Sequence, residues 1–269
     1  MELSAAKIRE LLPTNHLWRN SILYFDTIDS TNTHAKALAA AGAPHGTVLI
    51  ADSQTGGRGR LGRSFHSPAG TGIYLSVVLR PNCTPAELMH LTCAAGCAMC
   101  DAVEEVAGIR PGIKWTNDLV WERKKLGGIL TELSIDPKTG FVSYAVVGIG
   151  INCGQRPEDF PADIREIATS LSMITGKSVC RSQLAAAMVA SLFSMSESLL
   201  TEKTTIMAQY HTDCVTIGKE VSVHRFEEVR HGTAVGVDED GALLVRFPDG
   251  HTENIGSGEV SIRGMYGYV

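Results

Sequence analysis

The sequence predicts an α+β protein in which helices flank a mixed β-sheet and a small β-rich domain follows. Four predicted strands between residues 113 and 149 are separated by short turns, some of hairpin type, so the sheet is mixed or antiparallel rather than built from β-α-β units. From Gly218 onwards, short β-rich segments separated by Asp-Gly turns replace the helical patterns. We therefore expect one domain over residues 1–215 and a second over residues 216–269.

The first part of the chain combines short helical and strand patterns. An amphipathic segment around Ile8 should end at Pro13, because proline disfavours helix at the preceding residue. N-cap candidates at Asp29-Ser30-Thr31-Asn32 predict a helix that runs to about Ala40. Strands are predicted at residues 22–25, 47–51 and 73–79.

The longest predicted helix begins at Thr84-Pro85-Ala86-Glu87. This tetrapeptide combines an N-cap threonine, a proline at the first helical position and a capping-box glutamate, and the helix should reach about Ala107. Later helical patterns lie near Ile164, at residues 183–200 and up to about His211. The remaining strands are predicted at residues 113–115, 118–121, 128–133, 144–149, 220–223 and 242–247.

Composition excludes several classes of protein. The 269 residues are 44% hydrophobic and 20% charged, which is typical of globular domains. The net charge of -5 gives no global attraction to nucleic acid, so we expect no specific DNA binding. No apolar run approaches the roughly 20 residues that cross a membrane, and the N-terminus lacks a secretory pattern, so we expect a cytoplasmic protein.

Seven cysteines, an odd number, argue against a disulfide framework and for reduced thiols. Three of them, at Cys93, Cys97 and Cys100, have the C-x3-C-x2-C spacing of some iron–sulfur sites. Those cluster ligands normally lie in a loop, whereas this segment falls inside the long predicted helix. Core packing is therefore the preferred interpretation, because a buried cysteine behaves as a small hydrophobic residue.

A glycine-rich segment with three arginines at Arg58, Arg60 and Arg63 follows Gln54. Guanidinium groups bind carboxylates and phosphates, and glycines let backbone N–H groups approach an anion closely. A solvated surface loop is the alternative. The segment also matches a dinucleotide fingerprint from Gly57 to Gly62, but a strand follows it where that fingerprint requires a helix.

Polar residues between later strands suit a nucleotide site. Lys114-Trp115-Thr116-Asn117-Asp118 and Lys124-Lys125-Leu126-Gly127-Gly128 offer lysines that can reach a phosphate and an aspartate that can hold magnesium. A solvated hairpin turn is the ordinary alternative for paired lysines. Gly148-Ile149-Gly150-Ile151-Asn152 at a strand end can equally serve tight packing.

Taken together, six ordered segments resemble the biotin protein ligase family from about Tyr24 to the C-terminus. No single segment is specific, but their order along the chain is. The segments lie at residues 29–32, 54–63, 114–118, 125–130, 148–152 and 258–263.

The resemblance implies roles for individual residues. The residues implied to contact the biotin ring system are Ser30, Thr31, Asn32 and Gln54. The loop containing Arg58, Gly59 and Arg60 would fold over biotin and ATP, with both arginines on the carboxylate and phosphates. Lys125 would reach the reacting carboxylate, so Arg58, Arg60 and Lys125 are the implied catalytic residues.

The ATP contacts implied by the resemblance are Lys114, Asn117, Asp118, Asn152 and Arg263, with Asp118 also near Mg2+. Two positions depart from the family pattern. Phe65 stands where an adenine-stacking tryptophan is common, which puts the strength of adenine binding in doubt. Thr116 stands where proline is usual, which should loosen that turn slightly.

The implied activity is ATP-dependent activation of biotin to biotinyl-5'-AMP, followed by transfer to a lysine of a biotin carboxyl carrier protein or carboxylase carrier domain. The implied fold ends in a small SH3-like β-barrel. Only about 20 residues precede the first strand, so the resemblance implies the family form that lacks a DNA-binding domain. The resemblance is also compatible with a homodimer. The alternatives are a lipoate or octanoate protein ligase and a non-catalytic biotin-binding regulator.

Overall fold

A seven-stranded mixed sheet forms the centre of the molecule. The structure is a computed structural model that describes residues 3–225, 228–256 and 260–264. For residues 260–264 it describes the backbone strand and not the side chains. The strand order is β1-β2-β3-β7-β6-β5-β4, in which β1 and β2 are parallel and the other neighbours antiparallel. This confirms the predicted mixed sheet. The strands are β1 (Ile22–Ile28), β2 (Thr47–Gln54), β3 (Gly72–Leu79), β4 (Gly112–Lys114), β5 (Asp118–Trp121), β6 (Lys124–Ile135) and β7 (Val142–Asn152).

Helices cover both faces of this sheet. On one face, α3 and α5 pack over the main hydrophobic core, which includes Ile50, Leu75 and Val77. On the other face, α2 packs on a smaller cluster that includes Leu49 and Val78. Alternating strand residues thus serve opposite cores, as the pleat of a strand requires. The helices are α1 (Ala5–Leu11), α2 (Thr31–Ala40), α3 (Leu91–Ala107), α4 (Leu171–Thr175), α5 (Arg181–Ser198) and α6 (Lys203–Asp213).

The predicted start of the long helix is wrong. Glu87 does accept hydrogen bonds from the N–H and hydroxyl of Thr84, but these residues close only a 3-10 turn at Ala86–Leu88. The α-helix itself starts at Leu91, after His90, which is fully buried and donates from Nε2 to the carbonyl of Leu199. Tertiary packing of His90 therefore separates the capped turn from the helix.

The helical pattern near Ile164 is also wrong, because residues 162–167 form turns. The backbone N–H of Lys125 donates to the carbonyl of Ile167, and the N–H of Thr169 donates to the carbonyl of Lys125. Pairing with the start of β6 thus takes the backbone groups that a continuing helix would use.

A smaller antiparallel sheet follows α6, with strand order β11-β10-β9-β8-β12. The proposed domain boundary at residues 215/216 lies in the connection between α6 and this sheet. Positive φ angles at Gly241 and Gly250 form the two predicted Asp-Gly turns. The strands are β8 (Glu220–Arg225), β9 (Glu228–Val237), β10 (Leu243–Arg246), β11 (Thr252–Ile255) and β12 (Val260–Gly264).

The three clustered cysteines lie inside α3, as predicted, and all three are buried. Burial raises the pKa of the Cys93 thiol to about 12 and raises the pKa of Cys97 and Cys100 as well. These thiols therefore serve as core residues. Within the described ranges, no helix is long and apolar enough to cross a membrane.

Candidate active site

A cavity of about 520 Å³ opens beside strands β5, β6 and β7. It collects most of the residues that the sequence analysis singled out, although they are spread over more than 90 positions. The predicted site residues that line it are Ser30, Thr31, Asn32, Gln54, Arg58, Gly59, Arg60, Phe65, Lys114, Asn117, Asp118 and Lys125.

One end of the cavity is polar and uncharged. Ser30 caps α2 by accepting from the N–H of Thr33, which places Thr31 and Asn32 in the first turn of that helix. The Gln54 carbonyl oxygen accepts from the N–H of Thr31 at 2.8 Å and from its hydroxyl at 3.0 Å. The Gln54 amide nitrogen donates to Ser67 at 3.0 Å. These bonds fix the orientation of the Gln54 amide, with its oxygen toward Thr31 and its nitrogen toward Ser67.

The amide of Asn32 is held from three sides. Its nitrogen donates to the Glu132 carboxylate at 3.0 Å and to the Leu130 carbonyl at 3.2 Å. Its oxygen accepts from the buried hydroxyl of Ser76 at 2.6 Å. A Cβ at Gly148 would overlap this oxygen, so only glycine leaves room for the amide.

Sequence reasoning missed Ser76 and Glu132, and apart from Lys125 it assigned no role to the lining residues of β6 and β7. Ser76 is the one polar residue within the apolar run of β3, and that interruption was the available signal. Glu132 lies in the middle of β6, where its bond to Lys36 at 2.6 Å holds it toward α2. The other lining residues not predicted as site residues are Leu61, Arg63, Ser64, Trp115, Gly128, Ile129, Leu130, Gly148, Ile149 and Gly150.

The arginine loop forms a narrow hairpin that lines the cavity. The N–H of Phe65 donates to Gly57 and that of Gly59 to Arg63, at 2.9 and 2.7 Å. A Cβ at Gly57 would overlap the Phe65 carbonyl oxygen, so a glycine is required there. Arg58 is exposed, whereas Arg60 extends inward.

Phe65 follows this hairpin and its ring lies against β7. A Cβ at Gly150 would overlap the ring, so glycine makes this close contact possible. The ring also meets Tyr74 edge-to-face, with 6.4 Å between the ring centroids. Phe65 is thus held as one aromatic wall of the cavity.

A second set of lining residues is charged and joined by hydrogen bonds. Arg60 donates to the Asn117 amide oxygen at 2.9 Å, and the Asn117 nitrogen donates to Asp118 Oδ1 at 3.2 Å. Lys125 Nζ donates to the same Asp118 oxygen at 2.7 Å. Burial lowers the pKa of Arg60 from its ordinary value, although Asp118 opposes that shift.

A β-bulge places Lys125 on this side of the sheet. The pairing of β5 with β6 shifts register between Leu119 and Val120, so that Lys125 and Gly128 both border the cavity despite an odd spacing. A Cβ at Gly128 would lie 3.3 Å from both Lys125 Nζ and Asp118 Oδ1. The glycine therefore leaves room for the ion pair.

Two predicted site residues are not among those that line the cavity. Asn152 is buried, donates to the Thr169 carbonyl at 3.0 Å and accepts from Gln155 at 3.1 Å, so its amide already serves the fold. The structure gives no support to a contact between Asn152 and ATP. Arg263 lies on β12, but its side chain is outside the described part of the chain.

The site thus has a neutral polar end and a cationic end within one cavity. Such a cavity suits an organic acid with a polar head whose carboxylate meets a polyanion such as a nucleotide phosphate. Among the residues that the structure describes, Asp118 is the one carboxylate that lines it. Within the described residues, no group of three or more His, Cys, Asp or Glu side chains is arranged to hold a metal ion.

Comparisons with known proteins agree with this geometry. The model of the biotin/lipoate A/B protein ligase family matches residues 24–152, and the model of the biotin protein ligase C-terminal domain matches residues 216–263. The bifunctional ligase/repressor BirA of Bacillus subtilis is 35% identical over 250 residues, which span 93% of this chain and 76% of that protein. This chain belongs to the biotin protein ligase family.

Other biotin protein ligases match nearly the whole chain. The biotin–[acetyl-CoA-carboxylase] ligase of Mycobacterium tuberculosis is 32% identical over 258 residues, covering 93% of this chain and 92% of that protein. The structure of the biotin protein ligase from Aquifex aeolicus in complex with biotin and ATP superposes with a TM-score of 0.76 and 33% identity. That match covers 90% of this chain and 98% of the Aquifex chain.

Proposed function

We propose that this biotin protein ligase activates biotin with ATP to biotinyl-5'-AMP and then transfers biotin to a lysine of a carboxylase carrier domain. One observation carries the proposal: the neutral end of the cavity has the donors and acceptors that a cyclic urea requires. The cationic end, within the same cavity, suits the carboxylate of the biotin side chain and the phosphates of ATP.

The hydrogen-bond donors and acceptors left unused at the neutral end indicate which ligand fits there. Gln54 uses one amide N–H for Ser67, so its second N–H can donate, and the Ser30 hydroxyl, which accepts from Thr33, can donate as well. Both N–H groups of Asn32 are taken by Leu130 and Glu132, so only its oxygen can still accept. A ureido ring offers a carbonyl to such donors and an N–H to such an acceptor.

The same donors and acceptors separate biotin from lipoate and octanoate. The dithiolane ring of lipoate and the methyl end of octanoate lack both the carbonyl and the N–H, so they would leave these polar groups unpaired when bound. In other enzymes, a site built for hydrogen bonds rejects an analogue without them by roughly 10⁴–10⁵. Biotin is therefore the substrate that fits.

In the first step, a biotin carboxylate oxygen attacks the α-phosphorus of ATP, a P–O bond forms, and the bond to pyrophosphate breaks. The carboxylate is already ionised, so the step needs no general base. Two anions must approach each other, and Arg58, Arg60 and Lys125 would stabilise their combined charge. Asn117 would hold Arg60 in place, because it accepts from that guanidinium. Phe65 would stack on the adenine, and Lys114 would contact a phosphate.

Magnesium normally accompanies ATP, and this chain can offer it Asp118. Magnesium is usually held by one or two carboxylates together with phosphate oxygens and water, so a single lining carboxylate fits. When bound, the ion would neutralise charge on the phosphates. Lys125, which already contacts Asp118, would then share that carboxylate.

In the second step, the neutral acceptor lysine amine attacks the acyl carbon of biotinyl-5'-AMP and an amide bond forms. The bond from that carbon to the phosphate oxygen breaks, AMP leaves, and the nitrogen releases one proton. The Mycobacterium tuberculosis relative is named for the acetyl-CoA carboxylase that it modifies. A carboxylase carrier domain is accordingly the proposed partner. We propose no specific DNA partner, because the net charge of -5 gives no general attraction to nucleic acid.

Pyrophosphate exchange tests the proposal directly. Purified protein should exchange labelled pyrophosphate into ATP when biotin is present, and should not do so with lipoate or octanoate. A carboxylase carrier domain incubated with this protein, biotin and ATP should gain the mass of one biotinyl group. Exchange driven equally by lipoate would indicate the alternative ligase, and biotin binding without any exchange would indicate a non-catalytic regulator.

A further inference from the structure

Trp115 connects the cavity to the C-terminal sheet. The residue lines the cavity and is 5% exposed. Its indole N–H donates to the carbonyl of Gly241 at 2.8 Å, and its backbone N–H donates to the Thr216 hydroxyl at 2.9 Å. Both acceptors lie beyond α6, in residues that belong to or lead into the small sheet. One cavity residue is therefore fixed by two buried bonds from outside the main domain.

The turn that presents the Gly241 carbonyl is itself tightly held. Asp238 accepts from the N–H groups of Asp240 and Ala242, at 3.0 and 2.8 Å. Lys203 of α6 forms an ion pair with Asp240 at 2.6 Å. Gly241 has φ +87°, and a Cβ on it would lie 2.8 Å from the Cys93 sulfur. The turn therefore needs glycine and holds its carbonyl in one direction.

Trp115 is followed directly by the polar residues of the site. The Thr116 carbonyl accepts from the buried Tyr210 hydroxyl at 3.2 Å, which holds the turn between β4 and β5. Asn117 and Asp118 come next and make the bonds to Arg60 and Lys125. A shift of Trp115 would move the start of β5 and, with it, the partners of both cations.

We propose that Trp115 is a positioning residue through which the Asp238–Ala242 turn of the C-terminal sheet sets Asn117 and Asp118 for adenylate formation. This inference rests on the proposed function. It assigns to the C-terminal sheet a role in the geometry of the first step, and the indole hydrogen bond to Gly241 is the part of this link that a side-chain substitution can test. The biotin end should be independent of that bond, because its polar residues come from α2 and β2.

Trp115→Phe removes the indole N–H and keeps an aromatic ring. We expect biotin-dependent pyrophosphate exchange to fall about five- to tenfold in kcat, the effect of one lost buried hydrogen bond that leaves a carbonyl unpaired. The Kd for biotin by calorimetry should stay within about twofold, because it depends on a different end of the cavity. The matched control is Trp18→Phe, which changes an equally buried tryptophan that packs on His45 and Phe193.

Gly241→Ala tests the same hydrogen bond by displacing its acceptor carbonyl. This variant keeps the proposal testable if Trp115→Phe fails to fold. It should lower exchange at least as much, because the new Cβ displaces the turn. The double variant should be no slower than the slower single variant, since both changes remove one bond. If the rate losses of the two single variants multiplied in the double variant, the proposal would be overturned. An unchanged rate in Trp115→Phe, or a rate loss equal to that of Trp18→Phe, would also overturn it. Absence of biotin-dependent exchange in the unmodified protein would instead overturn the proposed function.

Discussion

Lys125 and Asp118 form an ion pair of 2.7 Å at the cationic end of the cavity, across the bulged pairing of β5 with β6. Lys125 is 29% exposed and Asp118 18%, so the pair is partly shielded but open to the cavity. In the proposed function, Asp118 would hold the ammonium of Lys125 near the place where the biotin carboxylate and the α-phosphate of ATP meet. Such preorganised charge contributes most to a step in which two anions approach.

Lys125→Ala should therefore slow adenylate formation more than transfer. Losing one preorganised charged donor typically costs about 100- to 1000-fold in rate. Transfer from chemically made biotinyl-5'-AMP should suffer less, because the mixed anhydride is already activated. The two steps are measured separately, as pyrophosphate release and as carrier biotinylation with the uncatalysed rate subtracted.

The matched control for this experiment is Lys124→Ala, which removes the neighbouring lysine that does not line the cavity. It should leave both steps near their original rates. Equal slowing of both steps in Lys125→Ala would show that Lys125 serves binding or structure rather than the first step.

Gly148→Ala should weaken biotin binding by about tenfold or more. The new Cβ would overlap the Asn32 amide oxygen, and moving that amide unpairs a buried hydrogen-bond network, which typically costs about 1–3 kcal/mol per group. Calorimetric titration with biotin measures the loss. Gly154→Ala is the control, because the nearest atoms to its Cβ lie 3.8 Å away. Unchanged biotin affinity in Gly148→Ala would show that Asn32 does not contact biotin.

The arginine loop at residues 56–64 should gain hydrogen-exchange protection when biotinyl-5'-AMP binds. Without an anion, few backbone hydrogen bonds close this hairpin, and Leu61 within it has a positive φ of 55° that is unfavourable for a non-glycine residue. Exchange of the loop amides followed by mass spectrometry, with and without the adenylate, gives the measurement. Equally strong protection in both states would contradict the prediction.

Folding stability should fall as pH drops below about 6.5, partly through His90. Burial lowers the pKa of this histidine, and its Nδ1 is buried with no partner in the described part of the chain. The folded protein therefore binds a proton less readily than the unfolded chain. Stability is complete above the unfolded pKa and declines as pH falls below it.

Urea denaturation at pH 7.5, 6.5 and 5.5 tests this dependence. His90→Gln should reduce the pH dependence while lowering stability at every pH, because the bond to Leu199 is altered. His66→Gln, at an exposed position, is the control. An unchanged pH dependence in His90→Gln would assign the effect to other histidines, of which His16 and His45 also have pKa values lowered by burial.

Local sequence patterns determined the strands of the main sheet, β8 and β10 of the small sheet, the helix that Ser30 caps, the Asp-Gly turns and the ordered polar segments. Each of these depends on residues a few positions apart. Only the tertiary structure decided how these pieces meet. The Asn32–Glu132 bond spans 100 positions and the Trp115–Gly241 bond spans 126, so both depend on sheet register and domain packing. The same reason explains the wrong start of the long helix and the wrong helix near Ile164. The partners that the packed fold gives His90 and Lys125 lie far along the chain, so local propensity could not reveal them.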